Sequence, residues 1–168
     1  MKNLKNKKGF TLVELLAVIV VLAIVMGLAV VGITSVLENT RKSAFAADAK
    51  SFIQGAHNLV STDEATVLLG GTAEYAPSCA GANGSTDSKT IPLSKIPLQS
   101  GSGEKSPYGN PYNKSNSMIT VTSTVGAGGV CTYEYKIYLT DDVYSIGTSD
   151  SPVTETAVNA SQVNIKAA

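Results

Sequence analysis

The sequence predicts an α+β fold in which one long N-terminal α-helix packs on a small antiparallel sheet of about three strands. Three observations lead to this prediction. An uninterrupted apolar run covers residues 15–33, a periodic apolar pattern continues it to about residue 61, and strand-like segments alternate with turns between residues 118 and 146. A helix with one apolar stripe needs a second layer to bury that stripe, and a short sheet can supply it.

The apolar run has the length and composition of a membrane span. Residues 15–33 include no charged or strongly polar side chain. As a helix, about 19 residues rise roughly 28 Å, enough to cross the hydrocarbon core of a bilayer. No acidic residue precedes the run, but four lysines do: Lys2, Lys5, Lys7 and Lys8. Because positive charge stays on the cytoplasmic side, we expect a single-pass precursor in the inner or cytoplasmic membrane, with its N-terminus in the cytoplasm and its body outside.

Two common explanations of this apolar run have to be considered first. A conventional secretory signal peptide is the first, because Ala44-Phe45-Ala46 has the small-x-small form that signal peptidase accepts. That site lies 11 residues past the apolar run and beyond three charged side chains, Glu38, Arg41 and Lys42, which disfavours it. An uncleaved membrane anchor is the second.

The residues at the junction, Lys8-Gly9-Phe10-Thr11-Leu12-Val13-Glu14, carry the more specific signal. A short basic leader ends in glycine, and Phe-Thr-Leu-x-Glu opens the apolar helix. In this pattern the sequence resembles type IV prepilins and pseudopilins, closely over about the first fifth of the chain. The resemblance implies a pilin-like fold, cleavage between Gly9 and Phe10 by a membrane aspartyl prepilin peptidase, and N-methylation of Phe10.

Glu14 is a lone carboxylate at the start of the span, where an unpaired charge is costly and such residues are by default functional. Cleavage after Gly9 would create a cation, the amino terminus of Phe10. The positive end of the helix dipole also favours a carboxylate in the first turn. The resemblance implies an assembly role, in which Glu14 of an incoming subunit pairs with the N-terminal amine of its neighbour. The alternative is that Glu14 extends to the membrane surface.

The resemblance implies a structural subunit of a type IV pilus or pseudopilus, as in type II secretion or competence systems. The expected partners are prepilin peptidase, identical or related pilin subunits, the pilus assembly platform and the membrane. The expected final location is an extracellular filament or a pseudopilus at the cell surface. The rival interpretation is a single-pass, membrane-anchored extracytoplasmic binding domain that does not polymerise.

The expected organisation has four parts: a leader peptide at 1–9, a transmembrane and assembly helix at 10–33, an amphipathic continuation at 34–61, and an exterior domain at 62–168. Apolar residues at steps of three and four indicate the amphipathic part: Leu37, Ala44, Phe45, Ala49, Phe52, Ile53, Ala56, Leu59 and Val60. Residues 62–116 contain repeated Gly and Pro breaks and are predicted to be an irregular connection.

Three segments after this connection predict the strands: residues 118–125, 131–139 and 143–146. They are rich in Ile, Val, Thr and Tyr, and the second alternates Tyr133, Tyr135, Ile137 and Leu139. Gly-Ala-Gly-Gly and Thr-Asp-Asp separate them and are natural turns. An antiparallel meander followed by a C-terminal tail is therefore expected.

Cys79 and Cys131 are the two cysteines of the chain, and both fall in the part expected outside the membrane, where disulfides form. We expect them to bond to each other, and two unrelated buried thiols are the alternative. Closing a loop of about fifty residues contributes about 4 kcal/mol by the chain-entropy estimate. That is a large share of the stability of a domain with a small core.

Residues 106–112, Ser-Pro-Tyr-Gly-Asn-Pro-Tyr, resemble the Asp-Pro-Trp-Gly-Asn-Pro-Tyr loop of major secretion pseudopilins, with Ser106 and Tyr108 in place of Asp and Trp. A generic Pro/Gly turn with two packed tyrosines is the alternative. Those proteins bind calcium in a C-terminal loop, and the candidate ligands here are Asp141, Asp142 and Asp150. Their spacing matches no established calcium loop, so solvated turn acids are the alternative. No other cofactor is expected.

The remaining composition argues against catalysis and against nucleic-acid binding. His57 is the single histidine, which excludes a His-based metal cluster, and there is no GxxxxGK[ST] or GxSxG motif. We therefore expect no enzyme. Lys and Arg total 13 against 13 Asp and Glu, and the four lysines before the span leave nine bases for the rest. A mildly acidic body without a basic stripe is not expected to bind nucleic acid directly.

Overall fold

The computed structural model describes residues 10–96 and 104–165 of the 168-residue chain, with the side chains of residues 29–32 excepted. The leader at 1–9, including Gly9, and the last three residues of the predicted C-terminal tail lie outside the described residues. The chain divides into two compact units, Met1–Asn39 and Thr40–Ala168. In its described part the first unit is almost entirely helical, and the second contains a sheet packed on helix.

Helix α1 (Leu12–Leu68) has 57 residues. It contains no proline and ends at two glycines. Gly70 adopts φ +87° and donates its N–H to the carbonyl of Val67, while the N–H of Gly71 reaches the carbonyl of Thr66. This is a Schellman cap, which satisfies carbonyls at the helix end and which glycine permits because it lacks a Cβ. The helix thus continues seven residues past its expected end near residue 61. The periodic apolar pattern ends there, but the helix itself ends only where the two glycines cap it.

Within the described residues the sheet has six strands, all paired antiparallel, so the expectation of about three strands was too low. The spatial order is β1-β2-β3-β4-β6, and β5 pairs with β3. The strands are β1 (Thr86–Pro92), β2 (Met118–Val125), β3 (Cys131–Thr140), β4 (Tyr144–Ile146), β5 (Val153–Thr154) and β6 (Val163–Ile165). Short 3₁₀ turns occupy Leu93–Lys95, Ala127–Gly129, Glu155–Ala157 and Ala160–Gln162. The α+β class is confirmed.

Strand β1 corrects the prediction that residues 62–116 form an irregular connection. It pairs with β2 over its whole length, from Thr86 opposite Thr124 to Pro92 opposite Met118. Its sequence is mostly polar, and Ile91 is its one fully buried side chain. An edge strand of this kind is held by its neighbour's backbone and carries little apolar signal of its own.

The core of the second unit lies between α1 and the sheet. The helix contributes Phe45, Ala46, Ala49, Phe52, Ile53, Ala56 and Val60. The strands contribute Ile91, Ile119, Val121, Ile137, Leu139, Ile146 and Val163. Each fully buried large aliphatic side chain contributes roughly 1.5–3 kcal/mol of transfer free energy. The predicted stripe is therefore largely right. Leu37 is an exception, because it belongs to the first unit and is 49% exposed.

Candidate functional site

The start of α1 carries reciprocal hydrogen bonds between Thr11 and Glu14. Oε2 of Glu14 accepts the backbone N–H of Thr11 at 2.9 Å and its hydroxyl at 3.0 Å. The backbone N–H of Glu14 donates to Oγ1 of Thr11 at 3.3 Å. These contacts are those of a capping box, in which the residue before the helix and the third helical residue satisfy each other's N–H groups. Both bonds to the carboxylate end on Oε2, and Oε1 takes no part in them.

The helix that follows presents apolar side chains to its surroundings. The large aliphatic side chains from Leu12 to Leu28 are 48–80% exposed. Among the described residues, α1 is the helix long and apolar enough to cross a membrane, as judged by length and composition. Phe10 is 86% exposed, whereas Gly9, the other half of the predicted cleavage junction, lies outside the described residues. Glu14 is the only charged side chain between Leu12 and Leu28, and it also caps the first turn of the helix.

A disulfide joins Cys79 to Cys131, which confirms the predicted pairing. The two Cα atoms are 5.8 Å apart and 52 positions separate the residues in sequence. Cys131 opens β3, and Cys79 lies in the connection between α1 and β1. The bond therefore fastens a segment without regular structure to the centre of the sheet.

Two carboxylates hold the same connection through its backbone. Oδ2 of Asp63, in the last turns of α1, accepts the N–H groups of three consecutive residues, Glu74 at 3.0 Å, Tyr75 at 2.5 Å and Ala76 at 3.2 Å. Asp87 of β1 accepts the N–H of Ser78 at 2.7 Å, and this bond lowers the pKa of Asp87 below its ordinary value. The sequence shows both acids, but nothing in their spacing indicates which backbone they hold.

The segment 106–112 is fastened to the β3–β4 turn by Asp141, which is 3% exposed. Its Oδ2 accepts the hydroxyl of Ser106 at 2.5 Å and lies 3.4 Å from Nδ2 of Asn110. Its Oδ1 accepts the backbone N–H groups of Val143 at 3.1 Å and Tyr144 at 2.6 Å. A buried carboxylate is tolerated when donors surround it in this way.

Two tyrosines of segment 106–112 pack rather than face solvent. The ring of Tyr108 stacks on Tyr144 with 3.6 Å between centroids. Tyr112 is 4% exposed and meets Phe45 and Phe52 edge-on, at 5.4 and 5.6 Å. The segment therefore builds part of the core.

The other two calcium candidates besides Asp141 are Asp142 and Asp150. Asp142 is exposed, adopts φ +68°, and accepts Nδ2 of Asn113 at 2.9 and 3.0 Å. Asp150 is exposed in the turn between β4 and β5. Within residues 10–96 and 104–165, no group of three or more His, Cys, Asp or Glu side chains is placed to hold a metal ion.

His57 packs against other side chains of the second unit. Its ring stacks on Tyr135 at 3.7 Å, and its Nε2 lies 3.1 Å from Oε2 of Glu155. Further along the same helix, Glu64 accepts the hydroxyl of Tyr133. Burial and the bond to Glu64 raise the pKa of Tyr133, and burial raises the pKa of Tyr135 to about 12. Helix α1 and strand β3 are thus joined by the contacts of Tyr133 with Glu64 and of Tyr135 with His57, which form a helix–strand seam.

Comparison with known proteins identifies the N-terminal segment. Residues 4–30 match the family model of the prokaryotic N-terminal methylation motif, the class III signal of type IV pilins and pseudopilins. No curated protein and no solved structure gives a significant match to the chain. The motif and the long apolar helix fit a type IV pilin-like protein anchored in a membrane, and the motif implies processing by prepilin peptidase and pilin-type assembly.

Proposed function

We propose that the chain is a structural subunit of a type IV pilus or pseudopilus. In this proposal prepilin peptidase cuts between Gly9 and Phe10, Phe10 is N-methylated, and the mature subunits polymerise through α1. One observation carries it: the exposed apolar length of α1 opens with a capped carboxylate, Glu14, inside a methylation motif. Such a surface is stable in lipid or against other apolar helices, but not in water.

The geometry suggests how one carboxylate can serve two purposes. Oε2 of Glu14 holds the N–H and hydroxyl of Thr11, both of which survive cleavage because they lie after the scissile bond. Oε1, which takes no part in the capping box, would accept the ammonium of Phe10 from a neighbouring subunit. In an apolar surrounding an unpaired ammonium or carboxylate is costly, so subunits in register are favoured over subunits out of register.

The exterior part would supply the filament surface, and no catalytic role is proposed for it. Its long connections are held by the Cys79–Cys131 disulfide and by Asp141, which suits a protein exposed outside the cell. The resemblance of segment 106–112 to the loop of major secretion pseudopilins favours a secretion or competence pseudopilin.

The mature N-terminus tests the proposal. Mass spectrometry of the membrane-bound protein should find a chain that begins with N-methylated Phe10. A chain that keeps Met1 would contradict the proposal and support a plain membrane anchor. Gly9→Leu should block cleavage, since a peptidase that fits the backbone closely has no room for a branched side chain, whereas Gly9→Ala is the matched control that adds one methyl group. The uncleaved variant should stay in the membrane and form no sheared filaments.

A further inference from the structure

A cluster of a cation and two stacked rings lies at one end of the second unit. The guanidinium of Arg41 lies over the ring of Tyr108, 5.9 Å from its centroid, and that ring stacks on Tyr144. Further along α1, Glu64 contacts Tyr133 instead. The cluster is therefore at the end of the second unit from which the helix leads back to the apolar run.

Ile165 of β6 adds an exposed apolar side chain to this cluster. It lies opposite Tyr144 in the pairing of β4 with β6, so the two side chains are on the same face of the sheet. The next pair on that face, Ile146 and Val163, is fully buried in the core. Ile165 is nonetheless 75% exposed. The apolar face of the sheet thus continues past the core at this end.

We propose that this end of the second unit rests on the phospholipid headgroups of the bilayer that α1 spans. The spacing in sequence supports this occupant, because Arg41 follows Ile33, the last residue of the apolar run, by eight positions. Eight helical residues rise roughly 12 Å, and the headgroup layer adds about 5–7 Å to each side of the hydrocarbon core. A long arginine side chain extends back to such a layer, and tyrosine is enriched there because its ring is apolar and its tip is polar.

The charges at this end favour a phosphate-bearing surface over a merely anionic one. Arg41 and Lys42 bring two positive charges. Asp142, exposed in the turn before β4, and Glu38, three positions before Arg41 in sequence, bring two negative ones. Net charge therefore does not select the surface. A guanidinium binds pairs of phosphate oxygens, and rings with a polar tip fit between headgroups. The expected ligand is a phospholipid surface, whether or not its net charge is negative.

This contact rests on the membrane anchoring in the proposed function, but not on cleavage or polymerisation. It would hold for a plain membrane anchor as well, so it is tested in vesicles without any filament. Its absence would leave the predictions for Gly9, Phe10 and Glu14 standing, and a chain that keeps Met1 would leave the contact standing. In a pilus subunit, the contact with lipid would have to break when α1 leaves the bilayer.

The test uses the full chain, reconstituted through α1 into phosphatidylcholine vesicles at a low ratio of protein to lipid. The chain contains no tryptophan, so Ile165→Trp supplies a single fluorescent reporter. Val130→Trp is the matched control, because Val130 is 62% exposed and directly precedes β3, whose ten residues separate it from the turn before β4.

Nitroxide groups on the lipid headgroups should quench Ile165→Trp at least about threefold more strongly than Val130→Trp, since ten strand residues span about 33 Å. Equal quenching at the two positions, or none at Ile165→Trp, overturns the proposal. A reporter at position 165 that is hidden from both the nitroxide lipid and a soluble quencher would be covered by protein, which also overturns it.

A second experiment changes the cation in the Ile165→Trp chain. Arg41→Glu replaces a phosphate-binding group with one that phosphates repel, and it should lower the quenching by headgroup nitroxide at least about twofold. Lys50→Glu is the matched control, because it makes the same change of charge at another exposed position of α1, nine residues further along, and it should leave the quenching unchanged. Circular dichroism checks that both variants are folded. Equal quenching in the two variants overturns the proposal.

Discussion

The hydroxyl of Ser106 donates a 2.5 Å hydrogen bond to Oδ2 of Asp141, and both residues are buried. The bond joins two stretches that are 35 positions apart in sequence, the segment 106–112 and the turn after β3. Since the same carboxylate also accepts two backbone N–H groups of that turn, one side chain fixes both stretches relative to the sheet.

Asp141→Ala should therefore be among the most destabilising single changes in the second unit. It leaves the buried hydroxyl of Ser106 and the partly buried N–H groups of Val143 and Tyr144 without their acceptor. We expect a loss of about 3 kcal/mol in the free energy of unfolding. Asp150→Ala removes an exposed carboxylate and should change it by less than about 0.5 kcal/mol. Urea unfolding of the detergent-solubilised chain, followed by tyrosine circular dichroism, measures both. Equal stability of the two variants would contradict the role given to Asp141.

Calcium removal tests the acids of the same turn. Donors from Ser106, Asn110 and two backbone N–H groups already point at the Asp141 carboxylate, and a cation there would have to displace them. We therefore expect the same melting temperature in calcium and in chelator. A ligand bound at one hundred times its Kd would add about 2.7 kcal/mol. A rise in melting temperature with calcium that disappears in Asp142→Ala would show a site and contradict this expectation.

The disulfide should contribute strongly to stability because it closes a loop of 52 positions. Replacing both Cys79 and Cys131 with Ser should lower the free energy of unfolding by about 4 kcal/mol in the chain-entropy estimate. Reduction of the wild-type chain should have the same effect, which separates loss of the bond from any effect of the new side chains. An unchanged free energy of unfolding after complete reduction would mean that Asp63 and Asp87 hold the connection without the disulfide.

Elements with their own apolar signal were predictable from sequence. Strands β2 and β3 alternate apolar and polar residues, and their expected bounds agree with the structure to within one residue. Strand β4 was also found, although it begins at Tyr144 rather than at residue 143. The helix was found because a membrane span and an amphipathic stripe are both long periodic patterns.

What the sequence did not reveal depends on pairing between distant residues. β1 is mostly polar and becomes a strand because β2 lies beside it, while β5 and β6 have two and three residues and are too short for a period to show. Likewise, Asp141 was proposed as a calcium ligand because acids in a turn look alike in sequence. Only the fold shows that Ser106 is its donor.

Alkaline titration should separate the tyrosines of the helix–strand seam from exposed ones. The pKa of Tyr135 is raised to about 12 by burial, and that of Tyr133 is raised by burial and by Glu64. Because the folded-state pKa exceeds the unfolded value near 10, their contribution to stability is complete below about pH 10 and is lost as the pH rises further. Phenolate absorbance should show late-titrating groups, one of which disappears in Tyr135→Phe. An unchanged late titration in that variant would contradict the assignment.

The last prediction separates the two duties of Glu14. Gln at this position can still accept the N–H of Thr11, since the third residue of a capping box is Glu or Gln, but it cannot neutralise an amine. Thr11→Val does the opposite, because it removes the hydroxyl of the cap and keeps the carboxylate. Insertion should persist in both, since neither adds charge to the span.

We expect Glu14→Gln, like Glu14→Ala, to sharply reduce filament assembly, and Thr11→Val to reduce it less. The reason is that the charge pair with Phe10 of a neighbour has no substitute in an apolar contact, whereas a missing cap costs about 1 kcal/mol of helix stability. The measurement is the ratio of sheared filament to membrane-bound mature protein for each variant, with cleavage at Gly9 checked by mass. If Glu14→Gln assembles like the wild type while Thr11→Val does not, the carboxylate acts only as a cap and the intersubunit pairing is wrong.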